Sequence, residues 1–387
     1  MTVRVTFPDA RVRVEGAQDL DVTPRGARPR RLPAWTRPQI TDPFFELAVQ
    51  APAGVRLALR TEATALALRV RTTRVDEPGR GPLPAAFDLV VDGRLHTRTP
   101  VTGGDLMRRT GRDGVEPVPG EAGTYRFGGL PAGEKELRLW LPQSAVCDLV
   151  ELSADAPVAP PLESDRPRWV HYGSSVSQCV EAAGPTGTWP AVAATAAGLD
   201  LTCLGFSGNA MLDPCVARTI RDLPADLITL KIGINVVDGA TMRLRTFLPA
   251  VHGFLDTVRE GHLDTPLVVL SPIACPALED TPGPGAVDPA TGRVRATGDP
   301  GEVPLGALTL GVVREELARL VAARAGSDPA LTYLDGRELL GPDDTAGLPD
   351  GLHPDGDAYR RMGERFAALL GAGRMGARGM SPSQGGV

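Results

Sequence analysis

The sequence predicts a flavodoxin-like, doubly wound α/β domain built on a mostly parallel five-stranded sheet, preceded by an all-β jelly-roll or sandwich domain. Three observations carry that expectation. Short alternating apolar segments separated by Gly and Pro turns fill residues 1 to about 152. Beyond a Pro-rich stretch the pattern changes to short apolar strands alternating with helical periodicity. The length of 387 residues favours two domains over one.

The elements follow in chain order. Phe45-Glu-Leu-Ala-Val49 and Val55–Arg60 flank a Pro52-Ala53-Gly54 turn and are expected to pair as a hairpin. Leu66–Arg71 continues the alternation, and Phe87–Val91 runs into Asp92-Gly93, a type I′ turn signal. Tyr125–Phe127 and Glu136–Trp140 alternate again. The β domain is therefore expected over 1–155, with a linker over 156–167 that contains Ala156-Pro-Val-Ala-Pro-Pro161. The α/β domain is expected over 168–372, and 373–387 reads as a disordered tail. Within the α/β domain, strands are expected over 169–172, 199–204, 227–232, 267–270 and 331–334. Helices are expected over 189–197, 216–223, 244–258, 308–321 and 359–370. The helix from 244 is the clearest, because Leu244, Phe247, Leu248, Val251, Phe254, Leu255 and Val258 repeat at the spacing of one buried face.

Composition narrows the function classes. A net charge of -6 argues against a nucleic-acid surface, which needs clustered Lys and Arg. The Arg-rich run Arg25–Arg31 reads as a solvated loop. No window is apolar enough for a membrane span, and no basic segment precedes an apolar one at the N-terminus, so a cytoplasmic location is expected. Aromatics are 4% of the chain, so the core is expected to be mainly Val, Leu and Ala. The five cysteines, Cys147, Cys179, Cys203, Cys215 and Cys275, lack the spacing of a disulfide framework or a zinc site. No metal and no cofactor is expected. Nothing in the sequence sets the oligomeric state.

Chemistry is concentrated in four blocks: Gly173-Ser174-Ser175, Gly205-Phe206-Ser207-Gly208-Asn209, Gly233-Ile234-Asn235 and Asp350-Gly351-Leu352-His353-Pro354. Each is expected near a strand's carboxyl end, where open α/β sheets place their sites. A serine hydroxyl is a weak nucleophile until a base takes its proton, and a histidine does so near neutral pH. Ser175 follows a strand and a glycine. His353 has an acid, Asp350, three residues earlier to orient its imidazole. His96, His171, His252 and His262 lack that context, and His171 is expected to make a structural hydrogen bond. Acyl transfer also creates a negative oxygen, for which Gly208 can offer a backbone N–H and Asn235 a side-chain amide. Cys179 is placed to line the site and has no assigned chemistry. The long loop 276–304 reads equally as a substrate lid or a surface insertion.

These four blocks resemble those of the SGNH hydrolases, also called the GDSL lipase/esterase superfamily, over about residues 166–372. The resemblance implies Ser175 as nucleophile, His353 as base and Asp350 as acid. It implies the Ser175 N–H, Gly208 and Asn235 as oxyanion donors. The segment before it, with Phe87-Asp-Leu-Val-Val-Asp-Gly93, resembles the β domain that precedes some carbohydrate-active SGNH esterases. The family's first block usually reads Gly-Asp-Ser, whereas Ser174 replaces the acid here and leaves two adjacent hydroxyls. The expected activity is a serine esterase removing small, acetyl-like acyl groups from a carbohydrate or glycosylated small molecule. The alternatives are a lipase or thioesterase for longer chains, and a non-catalytic carbohydrate-binding protein. A nucleotide-binding domain is disfavoured, since neither a Walker pattern nor a full Gly-x-Gly-x-x-Gly follows a strand.

Overall fold

Alternating apolar residues in the first 165 positions build two sheets. The computed structural model describes residues 2–77, 79, 81–110 and 114–375. It divides into one unit of Met1–Asp165 with Ala182–Thr186 and another of Arg166–Glu181 with Gly187–Val387. In the first unit, a nine-stranded sheet is organised around the antiparallel pair Leu66–Glu77 and Ala145–Ala154. A six-stranded sheet is organised around Arg56–Thr61, Lys135–Trp140 and Ala86–Val91. Leu57, Leu59, Phe87, Leu89, Leu137 and Leu139 of the smaller sheet join Leu68, Val70, Phe127, Leu149 and Leu152 of the larger in one hydrophobic cluster. The Asp92-Gly93 turn forms as expected, with φ of 46° and 80°, and joins Ala86–Val91 to Arg94–Pro100.

Two expectations for this unit are corrected. Phe45–Val49 is not a strand of a hairpin but part of an α-helix, Pro43–Gln50. Asp42 caps it by accepting the Phe44 and Phe45 N–H groups at 2.7 and 3.2 Å, and Pro43 occupies its first position. Phe45, Ala48 and Val49 are its buried residues, at helical rather than alternating spacing. Arg25–Arg31 is not a solvated loop, because Gly26–Arg30 is a strand and Arg30 and Arg31 are fully buried. Arg28 makes a two-pronged contact with buried Asp148 at 2.7 and 3.1 Å, and Arg30 pairs with Glu46. The arginine run neutralises carboxylates inside the unit, where an unpaired charge would be costly.

In the second unit the strands β1 (Arg168–Gly173), β2 (Asp200–Gly205), β3 (Leu227–Lys231), β4 (Leu267–Leu270) and β5 (Leu331–Leu334) are all parallel. Their order is β2-β1-β3-β4-β5, as expected for a flavodoxin-like sheet. Every residue of β3 and β4 is buried, Thr229 and Lys231 of β3 included, as expected for a sheet covered on both faces. The helices are Trp189–Ala197, Pro214–Asp222, Leu244–Arg259, Leu310–Arg324 and Gly356–Gly371. Although aromatics are few, they gather beside β1, where Trp169 stacks on Phe366 at 4.8 Å and Tyr172 on Phe254 at 5.3 Å.

The segment 276–304 is not one structureless loop. It holds an antiparallel hairpin, Gly285–Val287 with Val294–Ala296, between the 3-10 turns Pro276–Leu278 and Pro300–Leu305. Of the expected tail, 373–375 form a turn in which Met375 is buried, and 376–387 lie outside the described residues.

Candidate active site

The order of the sheet reverses beside β1, so the chain departs in opposite directions after β1 and β3 and leaves a crevice at their carboxyl ends. After β1 the chain turns through Gly173 and Ser174 into a one-turn helix, Ser175–Gln178. Gly205, at the end of β2, lets that helix lie close, since a Cβ there would sit 2.6 Å from the Gln178 nitrogen. The two adjacent serines have different surroundings. Ser174 is fully buried, and its hydroxyl caps the helix by accepting the Val176 N–H at 3.3 Å. Ser175 keeps 8% exposure and donates its hydroxyl proton toward His353 Nε2 at 2.9 Å.

His353 sits on the loop after β5 and before Gly356–Gly371. Its Nδ1–H donates to Asp350 Oδ2 at 2.7 Å, which leaves Nε2 as the acceptor facing Ser175. The other Asp350 oxygen accepts the Leu352 and His353 N–H groups at 2.8 and 2.7 Å, so a tight local turn aligns acid and base. Burial opposes ionisation of Asp350, but these hydrogen bonds outweigh it and hold the carboxyl at about 2. Burial likewise disfavours a charged His353. The Asp350 hydrogen bond and the charges of Glu181, Asp350 and Asp238 outweigh it, so the imidazole is raised above its ordinary range. The expected residues Ser175, His353 and Asp350 thus form one hydrogen-bonded chain.

The two remaining expected residues lie on the segments that follow β3 and β2. Asn235 is 6% exposed on the short helix Ile234–Asp238 after β3, and its Oδ1 accepts the Ala210 N–H at 3.0 Å. That contact orients the amide and leaves Nδ2 as its donor. Gly208 follows β2 with φ of +70°, a conformation that favours glycine, and its N–H has no hydrogen-bond acceptor among the described residues. The Ser175 N–H opens a helix and has no intrahelical partner.

His171 is a different case. It is fully buried on β1, with Nδ1 2.7 Å from the Thr229 hydroxyl and Nε2 2.8 Å from the Ser177 hydroxyl. Burial first, then the Lys231 charge, push it down to about 3, so it stays neutral and structural. Cys179 is also fully buried, donates to the Val176 carbonyl at 3.2 Å, and is raised well above the usual thiol range by burial. A buried, protonated thiol is a poor nucleophile.

Glu181 and Asp238 were missed in the sequence, because neither belongs to a block. Glu181 Oε1 lies 3.9 Å from His353 Nδ1, and Glu181 Oε2 accepts the Tyr359 hydroxyl at 2.9 Å. Burial raises the carboxyl of Asp238, and the nearby His353 draws it back. The hairpin of 285–296 also reaches the loop of Asp350 and His353, where the Val294 N–H donates to the Asp350 carbonyl at 2.7 Å.

No family model matches the sequence, and no curated protein matches it. Solved structures do. The salicylyl-acyltransferase SsfX3 of a tetracycline biosynthetic pathway is 27% identical, with a TM-score of 0.80 over 96% of this chain and 97% of that one. A GDSL-like lipase from Bacteroides ovatus is 17% identical, with a TM-score of 0.69 over 96% and 98% of the two chains. A family two carbohydrate esterase from Clostridium thermocellum, solved with cellohexaose, is 14% identical, with a TM-score of 0.59 over 95% and 99%. The likeness spans both units of the chain, and the strand order, the four loop blocks and these neighbours agree: the protein has the SGNH hydrolase fold, preceded by a β domain.

Proposed function

We propose that the protein is a serine acyl-transfer enzyme that hydrolyses small acyl esters carried by a sugar or a glycosylated small molecule. The observation that supports this reading best is the hydrogen-bonded series Asp350–His353–Ser175, at 2.7 and 2.9 Å, on loops that follow parallel strands of one sheet. Residues 168–372 are the catalytic domain in this reading, 1–155 the β domain and 156–167 the linker.

The mechanism follows from the donors and acceptors. His353 Nε2 takes the Ser175 proton as the Oγ bonds to the ester carbonyl carbon. The carbonyl oxygen becomes an oxyanion, which the Ser175 and Gly208 N–H groups and the Asn235 Nδ2 stabilise in the transition state. The Nδ1–H of the resulting imidazolium stays hydrogen-bonded to Asp350, which remains ionised. His353 then returns the proton to the departing alkoxide, leaving an acyl-Ser175. A water activated by the same Nε2 releases the acid. No step requires a metal.

A second reading keeps the acyl-Ser175 and changes only the acceptor, from water to a hydroxyl of a small molecule. The 27% identity to a salicylyl-acyltransferase over nearly the whole chain favours it. A panel of p-nitrophenyl esters of rising acyl length, together with acetylated sugars, each with and without an added alcohol, tests both. Turnover of short esters with water alone supports hydrolysis, and ester product with the alcohol supports transfer. A preference for long chains points to a lipase instead. No turnover of any ester, with or without alcohol, contradicts the proposal.

A further inference from the structure

Asp350 satisfies the textual pattern of an acid three residues before a histidine, yet it is not the sole carboxylate at the imidazole. Glu181 approaches the same nitrogen from a different element, the segment that follows the Ser175 helix. Its Oε1 is 3.9 Å from His353 Nδ1, while Asp350 Oδ2 is 2.7 Å from it. The approach is built rather than incidental. Tyr359, fully buried on the helix that follows His353, donates its hydroxyl to Glu181 Oε2 at 2.9 Å. One carboxylate oxygen is thereby anchored and the other is left toward the imidazole.

We propose that Glu181 is a second acid for His353, a positioning residue that Tyr359 holds in place and that shares with Asp350 the positive charge formed on the imidazole. The inference rests on the functional reading above for its catalytic consequence, though not for its electrostatics. When Ser175 Oγ bonds to the acyl carbon, its proton passes to His353 Nε2, and the ring then carries one positive charge with a proton on each nitrogen. The Nδ1–H stays on Asp350, the shorter hydrogen bond. Glu181 accepts no proton in the step. It acts through charge at a distance where a partly desolvated pair still interacts appreciably.

Other charged and titratable groups lie around this loop. Asp238 acts on His353 from the helix after β3. Cys275 donates to the Gly351 carbonyl at 3.3 Å, and its thiol is pushed up to about 12 by burial, so it is neutral. Of the two arginines of the adjoining hairpin, Arg293 donates to the Pro349 carbonyl at 3.3 Å, and Arg295 lies on the strand Val294–Ala296. Burial leaves the Glu181 carboxyl raised above its ordinary value, although the His353 charge and the Tyr359 hydroxyl draw it down. The sign is therefore fixed. Glu181 favours the charged imidazole, so removing its charge must lower the pH at which His353 titrates.

Glu181→Gln keeps the shape and an oxygen acceptor for Tyr359 while removing the charge. The titration of His353 is read by NMR of the imidazole nitrogens in full-length protein, and the acid limb of kcat/KM for p-nitrophenyl acetate is read beside it. Both midpoints are expected to move to lower pH, with the plateau rate within about threefold of wild type. In the Asp350→Asn background, where Glu181 is the remaining carboxylate beside Nδ1, adding Glu181→Gln should cost a further loss on the order of tenfold. Glu181→Ala should move the titration in the same direction and serves if the Gln variant folds poorly. A moved His353 signal in a protein without ester turnover supports this inference and contradicts the functional reading alone. An unmoved His353 titration in a folded Glu181 variant overturns the inference.

Discussion

Asn235 offers the sharpest division between a chemical and a structural role. Its side chain is 6% exposed, and its Oδ1 accepts the N–H of fully buried Ala210 at 3.0 Å. Asn235→Ala removes two things at once. Loss of the Nδ2 donor should lower kcat by about 10²–10³-fold, equivalent to about 3–4 kcal/mol of transition-state stabilisation. KM should change little, because the donor acts on charge that forms only as the reaction proceeds. Loss of Oδ1 leaves the Ala210 N–H buried without an acceptor, which should cost about 1–3 kcal/mol of stability. Asn235→Asp separates the two effects. It retains an oxygen for Ala210 but replaces the donor with an atom that repels the oxyanion, so kcat should fall at least as far while more of the stability is kept. Steady-state kinetics on p-nitrophenyl acetate and a urea melt on the same preparations read both quantities. A folded Asn235→Asp variant with near-normal kcat would refute the reasoning and remove Asn235 from the oxyanion site.

Three other expectations follow from the surroundings of single side chains. Ser174→Ala should retain esterase activity and lose about 1 kcal/mol in a urea melt, because Ser174 is a buried helix cap that accepts the Val176 N–H. The rate should fall as pH drops through a midpoint above the ordinary histidine value of 6.5, since His353 must be neutral to act as base and its titration is raised; a pH–rate profile checks this. Lys231→Met should stabilise the fold, because the Lys231 amine is buried with no hydrogen-bond partner among the described residues. Burial first, with Arg314 adding and Cys179 opposing, moves that amine from 10.5 to about 8, which corresponds to about 3 kcal/mol. The unfolded chain binds more protons between those values, so wild-type stability rises with pH through that window and the advantage of the Met variant should shrink from pH 7 to pH 10 in urea melts.

The candidate site was legible because its chemistry requires particular residue types in a set order at strand ends. Ser175, His353 and Asp350 needed no knowledge of packing, and the strands that carry the blocks could be read from their short, largely apolar segments. What was not legible depends on partners distant in the chain. Arg28 looks like part of a solvated charge run until Asp148 is placed against it. Phe45–Val49 is too short for alternation and helical spacing to be told apart by apolar residues alone, and the decisive signal was the Asp42-Pro43 cap. Glu181 carries no motif. Its proximity to His353 depends on the turn after the Ser175 helix and on the Tyr359 hydroxyl. The hairpin within 276–304 was hidden by a Pro- and Gly-rich composition that ordinarily marks a loop.

The central claim is that Ser175 is the nucleophile activated by His353. Labelling with a fluorophosphonate, followed by intact mass and peptide mapping, tests it most directly. The account predicts one adduct, on Ser175. The adduct should be absent from Ser175→Ala, much slower to form in His353→Ala, and unimpaired in Ser174→Ala. An adduct on Ser174 or on another serine, or none on a folded wild-type protein, would contradict it.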